Sequence, residues 1–284
     1  MSKNIIISEP LVSVAWLWQH FDAQNLIILD ASIPKVTAEN ISLENTIKSQ
    51  IKDARFLDLD NEFSDTAARF PNTMLTPEKF SVAARKLGIH ENSALVVYDD
   101  LGIYSSPRAW WMFKTMGHDN IAVLDGGLPE WKKKSLPFEE RKEYDGGLGD
   151  FVAQYRNSMI CDYHEVLRSI RDDSTLVLDS RSENRFFGRD PEPRVGVRSG
   201  HIPKSKNIPY SLLIDENKMA SRERIHEIFD ELPKQGEKFI FSCGSGITAC
   251  VLALGSEMIG IRDKSVYDGS WTEWGSLGEL PLEK

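Results

Sequence analysis

The sequence predicts an α/β protein built from two copies of one domain, each a central, mostly parallel sheet flanked by helices. Three observations carry this expectation. Short apolar runs alternate with helix-like stretches in both halves, the pattern of strands buried on both faces of a parallel sheet. The halves repeat unlike residue types at fixed offsets: Gly117 is followed eight residues later by Asp125-Gly126-Gly127 and then Trp131, and Gly260 eight residues later by Asp268-Gly269-Ser270 and then Trp274. The chain's 284 residues exceed one typical domain and suffice for two, each with its own core. Echoes arise in any α/β protein, but Asp, Gly and Trp matched at fixed spacing make duplication the simpler reading.

The elements follow in order. Residues 26–30 (LIILD) read as a buried strand. Thr76 caps a helix that has Pro77 at its first position and runs to Leu87, with Gly88 closing it. Residues 94–98 (ALVVY) are the next strand, 108–116 a helix closed by Gly117, and 121–124 a strand before the turn at Asp125. In the second half Asp162 and Glu165 form a capping box for a helix reaching Ile170. Residues 176–179 (LVLD) match LIILD, Ser221 caps a helix to Leu232, 239–242 (FIFS) is a strand, 248–258 a helix and 265–267 a strand. Residues 138–150, charged, Gly-rich and aperiodic, are expected to link a domain at 1–137 to one at 151–284. Counting back from Gly117 and Gly260 sets Asp100 opposite Cys243.

Composition excludes several functions. A formal net charge of −9 disfavours nucleic acid and anionic membrane, which demand clustered Lys and Arg. Residues 1–13 lack the pattern of a secretory leader, and no apolar stretch approaches spanning length. Three cysteines, Cys161, Cys243 and Cys250, are too few and too widely spaced for a disulfide framework or a zinc site. A reducing compartment, taken as the cytoplasm, is expected, with no metal or organic cofactor.

The chemistry concentrates in Cys243-Gly244-Ser245-Gly246-Ile247-Thr248, between a strand and a helix. Ligands of open parallel sheets sit beyond the carboxyl ends of strands. A helix N-terminus there presents amide N–H groups and the positive dipole end, which favours a thiolate nucleophile. Gly244 and Gly246 allow a tight curl, and Ser245 adds a hydroxyl beside the sulfur. The same residues also read as a buried structural cysteine beside an ordinary turn. A phosphatase loop of this kind carries an Arg six positions after the cysteine. Here that position is Ala249, and no Lys or Arg lies between Cys243 and Met258, so a phosphate or sulfate dianion is poorly served. Cys250 reads as a core residue of the following helix.

The loop CGSGITA (243–249) is similar to that of 3-mercaptopyruvate sulfurtransferases in the rhodanese superfamily. The resemblance extends over nearly the whole chain through Leu29-Asp30-Ala31-Ser32, Asp125-Gly126-Gly127, Pro191-Glu192-Pro193-Arg194 and Gly200-His201-Ile202-Pro203. It implies two rhodanese-like domains, the first catalytically silent, which fits Asp100 opposite Cys243. It also implies a persulfide on Cys243, with Ser245 and Asp60 in the catalytic set. Substrate binding is implied by Gly244, Gly246, Ile247 and Thr248, with Arg185 and Arg194 holding the carboxylate and keto oxygen of a small-molecule sulfur donor. Relatives often carry a histidine just before a Met-Leu-Pro run. Thr73 stands there, so a Ser–His–Asp relay is incomplete by that route, and Asp60 reads equally as a structural or capping acid. His201 reads as a turn-stabilising residue. The resemblance suggests a thiol acceptor such as thioredoxin, and a monomer suffices. Two rival activities remain open: thiosulfate:cyanide sulfur transfer, and a non-catalytic persulfide carrier or redox sensor.

Overall fold

A computed structural model of the chain describes residues 4–35, 48–232 and 238–284. The chain divides into two compact units. The first contains 1–63, 75–155 and 216–218, the second 64–74, 156–215 and 219–284. Among the described residues each unit holds a five-stranded sheet, and every pairing within the two sheets is parallel.

The first sheet runs Leu11–Val12, Ile121–Leu124, Ala94–Tyr98, Leu26–Asp30, Arg55–Phe56 in spatial order. The second runs Ile160–Cys161, Lys264–Tyr267, Lys238–Ser242, Thr175–Asp179, Lys206–Asn207. These are the same order in the same sequence sense, so the expected duplication holds at the level of topology. The strands are apolar because both faces are covered: Ala94–Tyr98 and Lys264–Tyr267 are buried throughout. Each unit has its own core, one gathering Ile28, Val96, Leu124 and Trp131, the other Val177, Ile240, Tyr267, Trp271 and Trp274. The indoles of Trp131 and Trp274 close their units alike, donating to Pro137 O and Pro281 O.

Helix ends follow local chemistry. Thr76, Asp162 and Ser221 accept from the backbone N–H three residues on, capping Pro77–Lys86, Tyr163–Ser169 and Arg222–Asp230. Gly117 and Gly260 follow the helices Ser106–Thr115 and Ala249–Met258 with left-handed backbones. The turns at Asp125 and Asp268 lead into further helices, Gly127–Lys133 and Ser270–Ser276.

One expectation needs correction. The segment 138–150 is part of the first unit, which extends to Tyr155. Phe138–Glu140 pairs antiparallel with Ser49–Ile51, and Gly149 N–H donates to Arg85 O. A polar, Gly-rich composition does not stop a backbone from pairing where an unpaired strand edge is available. Cys161 ends the edge strand Ile160–Cys161, directly before the N-cap Asp162. No helix among the described residues is long and apolar enough to cross a membrane.

Burial suppresses the ionisation of three acids in these cores: the pKa values of the Cys161 thiol and of the Tyr98 and Tyr267 phenols all move up. The folded chain keeps these protons while the unfolded chain releases them, near about pH 8.5 for cysteine and about 10 for tyrosine. Unfolding therefore releases protons above those values, and stability falls as pH rises. The urea midpoint is expected to drop between about pH 8 and about pH 10. Cys161→Ala, though less stable outright, should show a shallower fall in the lower part of that range. Equal slopes for the two proteins would contradict the burial argument.

Candidate active site

Cys243 is the first residue beyond Lys238–Ser242, and Thr248 is the N-cap of Ala249–Met258. The sulfur is a free, buried thiol, only 1% exposed. Gly246 turns the loop at φ +80°, where a side chain is strained. The loop is sewn to the start of Ser270–Ser276. Ser270 Oγ accepts from Cys243 N at 3.2 Å and Gly246 N at 3.1 Å, and donates to Tyr267 O at 2.8 Å. Trp271 N donates to Cys243 O, and Thr272 gives both its N–H and its hydroxyl to Gly244 O. Thr248 Oγ1 is tied to Ser180 Oγ at 2.8 Å, and Ile247 is buried. Cys250 donates its thiol back to Gly246 O, as a core residue of the helix.

Arg185 reaches this loop, and Arg194 reaches a residue that holds it. Arg185, in the short helix Glu183–Phe186, lies against Gly244: a Cβ there would sit 3.2 Å from Arg185 Nη2. Its guanidinium is held by Glu192, with Nη2–Oε2 at 2.5 Å. Glu192 is shared with Arg181, which also grips Asp179 and stacks over Trp271. Arg181 is 1% exposed and Arg185 16%, so Arg181 is the structural member of the pair. Arg194 Nη1 approaches Thr272 Oγ1 at 3.5 Å, one residue contact from Gly244. Arg189 pairs with Glu183 at the surface. His201 stacks on Phe186 and bonds Phe186 O, the turn-stabilising part expected of it.

Asp60 belongs to the first unit, is exposed, and its N–H donates to Asp58 Oδ1 in an Asx-type turn. Burial and the neighbouring Asp58 push its carboxyl up. The side chain found on Ser245 is Asn72, with Nδ2 at 2.9 Å from Ser245 Oγ and 3.2 Å from Ser245 O. Asn72, Ser270, Thr272 and Glu192 were not assigned roles by sequence. Two of them left a trace there: Glu192 inside the Pro191–Arg194 motif, and Ser270 as the departure from Gly127 in the repeated turn.

The chain contains its own reference for this loop. The sheet registers pair Asp30 with Tyr98 and Asp179 with Ser242, so the residue after the strand, opposite Cys243, is Asp99. Asp100 aligns only when counted back from the helix, because the loop 99–105 is one residue longer than 243–248. Asp99 is fully buried. Its Oδ2 accepts from the N–H groups of Tyr104, Ser105 and Ser106 at 2.9, 3.0 and 2.9 Å and from Ser106 Oγ at 2.6 Å. Its Oδ1 accepts from Leu101 N. Counted from the helix starts, those three amides correspond to Ile247, Thr248 and Ala249. Among the described residues none of those three donates to another protein atom. The second loop thus offers an anion the donors that a carboxylate consumes in the first.

Together these features define a duplicated α/β fold with a free, buried cysteine in the strand–helix loop at the carboxyl edge of its second sheet. The chain belongs to the rhodanese family: the Rhodanese-like domain model matches residues 13–134 and 162–277. It is 36% identical to 3-mercaptopyruvate sulfurtransferase of Homo sapiens, over 94% of this chain and 92% of that one. It is also 36% identical to thiosulfate/3-mercaptopyruvate sulfurtransferase 1, mitochondrial, of Arabidopsis thaliana, over 99% and 80%. The crystal structure of a 3-mercaptopyruvate sulfotransferase from Escherichia coli superposes with a TM-score of 0.81 at 30% identity, covering 93% of this chain and 99% of that one. The chain is a sulfurtransferase with two rhodanese domains.

Removing the Asp99 carboxylate strands buried N–H groups. Asp99→Ala is expected to cost roughly 2–4 kcal/mol in urea unfolding. Asp100→Ala, at an exposed position, should stay within about 0.5 kcal/mol. The reverse ranking would return Asp100 to the place opposite Cys243.

Proposed function

We propose that the chain takes sulfur from 3-mercaptopyruvate onto Cys243 and passes it to a thiol. The Cys243 thiolate attacks the donor's thiol sulfur. An S–S bond forms, the donor's C–S bond breaks, and its electron pair goes to carbon as pyruvate enolate. The proton carried by the donor thiol balances the enolate, giving pyruvate and Cys243–S–S⁻. An acceptor thiol, such as that of thioredoxin, or cyanide in vitro, then takes the outer sulfur and restores the Cys243 thiolate. The scheme is a double displacement with ping-pong kinetics.

Each residue has a part in this reading. The amides of Ile247, Thr248 and Ala249 face the charge that develops on sulfur, with Gly244 and Gly246 allowing the curl and Ser245 adding a hydroxyl. Arg185 and Arg194 hold the carboxylate and keto oxygen, and their pull on the carbonyl eases departure of the enolate. Asp60 is given no step. The chain acts as a monomer, in the cytoplasm.

The observation that carries the donor assignment is where the cations lie. Arg185 stands beside Gly244 and Arg194 beside Thr272, while the loop itself contains no Lys or Arg. In 3-mercaptopyruvate the carboxylate is separated from sulfur by two carbons, so a cation offset from the nucleophile meets it. In thiosulfate the anionic group is bonded directly to the transferred sulfur and calls for a cation within the loop.

Pyruvate release from 3-mercaptopyruvate with a thiol acceptor, run beside thiosulfate with cyanide, tests this. Cys243→Ser is expected to abolish turnover with either donor. Arg185→Ala should raise KM for 3-mercaptopyruvate about 30-fold or more, the loss of one charged bidentate contact. Turnover with thiosulfate alone would keep Cys243 and overturn the donor. Binding of one sulfur without repeated turnover would make the chain a persulfide carrier.

A further inference from the structure

The contact between Asn72 and Ser245 lies outside the chemistry proposed above. One Asn72 atom approaches both Ser245 Oγ and Ser245 O. A backbone carbonyl only accepts, so the Asn72 group facing Ser245 is its NH2 and not its amide oxygen. Asn72 therefore donates to the hydroxyl and offers no lone pair there to take the hydroxyl proton. A hydroxyl whose lone pair receives an N–H is polarised towards donating its own proton.

The backbone places Asn72 for this contact. Its φ is +60°, in the left-handed region that Asn adopts more readily than most residues. Thr73 Oγ1 donates to Phe70 O, and Met74 N donates to Asp268 Oδ2, which fixes the segment on either side. Residues 64–74 belong to the same compact unit as the Cys243 loop. Ser245 is 5% exposed and two residues beyond Cys243 in the same loop.

We infer that Asn72 is a positioning residue for sulfur transfer: its amide holds the Ser245 hydroxyl as a hydrogen-bond donor towards the sulfur on Cys243, and it keeps Ser245 out of any proton relay. The inference rests on the proposed reaction at Cys243. It assigns the contact at Ser245 to a neutral donor, in a chain where Thr73 leaves no histidine for a relay.

The test is a double-mutant cycle on the full-length protein, reading pyruvate release from 3-mercaptopyruvate. Asn72→Gly keeps the left-handed backbone at no cost and removes the amide. Asn72→Asp keeps the shape and, ionised, only accepts, which draws the Ser245 proton away from sulfur. Both are expected to lower kcat roughly tenfold, with KM for the donor within about twofold. Asn72→Asp should be at least as impaired as Asn72→Gly. In a Ser245→Ala background, itself reduced in kcat, Asn72→Gly should add less than about twofold, because its effect passes through the missing hydroxyl.

A full further tenfold loss in that background would make Asn72 merely structural and overturn the inference. So would unchanged kcat in Asn72→Gly, or in Ser245→Ala. If Asn72→Asp does not fold, the Asn72→Gly cycle decides alone. If the wild type turns over only thiosulfate, the donor assignment has failed by itself, and the same cycle read with thiosulfate judges Asn72.

Discussion

Three backbone N–H groups at the mouth of a strand–helix connection set the terms for both units. Buried amides need a partner, and at the start of a helix none is available within the helix. In the first unit the partner is the Asp99 carboxylate, bound by four amides and a hydroxyl. It is covalently part of the loop, fully satisfied and chemically idle. In the second unit the same place in the strand–helix connection is taken by a thiol. The donors at Ile247, Thr248 and Ala249 favour negative charge on whatever atom fills the cradle, whether thiolate or the outer sulfur of a persulfide. A carboxylate in place of sulfur, in a loop one residue longer, separates a closed anion site from one whose donors stay available.

The arginines around the loop depend on a second constraint, the burial of Glu192. Two guanidiniums packed near one another repel unless an anion stands between them, and Glu192, at 3% exposure, does so for Arg181 and Arg185. Arg181 spends the rest of its donors on Asp179 and Gly200 O. Arg185 uses Nε and Nη2 on Glu192. A guanidinium has five N–H donors, so in the proposed reaction Arg185 keeps donors for a substrate carboxylate after its position is fixed. The fixed orientation lowers the entropy cost of binding a small anion.

Much of the frame was legible because fully buried parallel strands must be apolar. Leu26–Asp30, Ala94–Tyr98 and Ile121–Leu124 end where composition says they should. Cys243 was legible as a site because Gly, strand end and helix start converge on it. Other features were hidden for identifiable reasons. The strand at Phe138–Glu140 was masked by charged residues that suit its exposed edge. Asp99 was displaced by one position because the extra residue of its loop shifts a count made from the helix but not one made from the strand. Asn72 meets Ser245 across 173 residues of sequence, and neither periodicity nor motif spacing reports a single long-range side-chain contact.

The pair Gly127 and Ser270 shows how the repeat was adapted around the cradle. Both residues open their helices at nearly the same left-handed angle, φ +50° and +49°. In the first unit glycine is obligatory: a Cβ would lie 2.3 Å from Asp99 O. In the second unit serine accepts a conformation that costs an L-residue roughly 1–2 kcal/mol. The hydroxyl offsets this by receiving Cys243 N and Gly246 N, two amides that would otherwise be buried without partners. It also leaves Ser270 Oγ 3.9 Å from the sulfur. Strain held by serine where its twin uses glycine is therefore tied to the Cys243 loop. The first unit needs no such latch, because its own carboxylate already binds the loop closed.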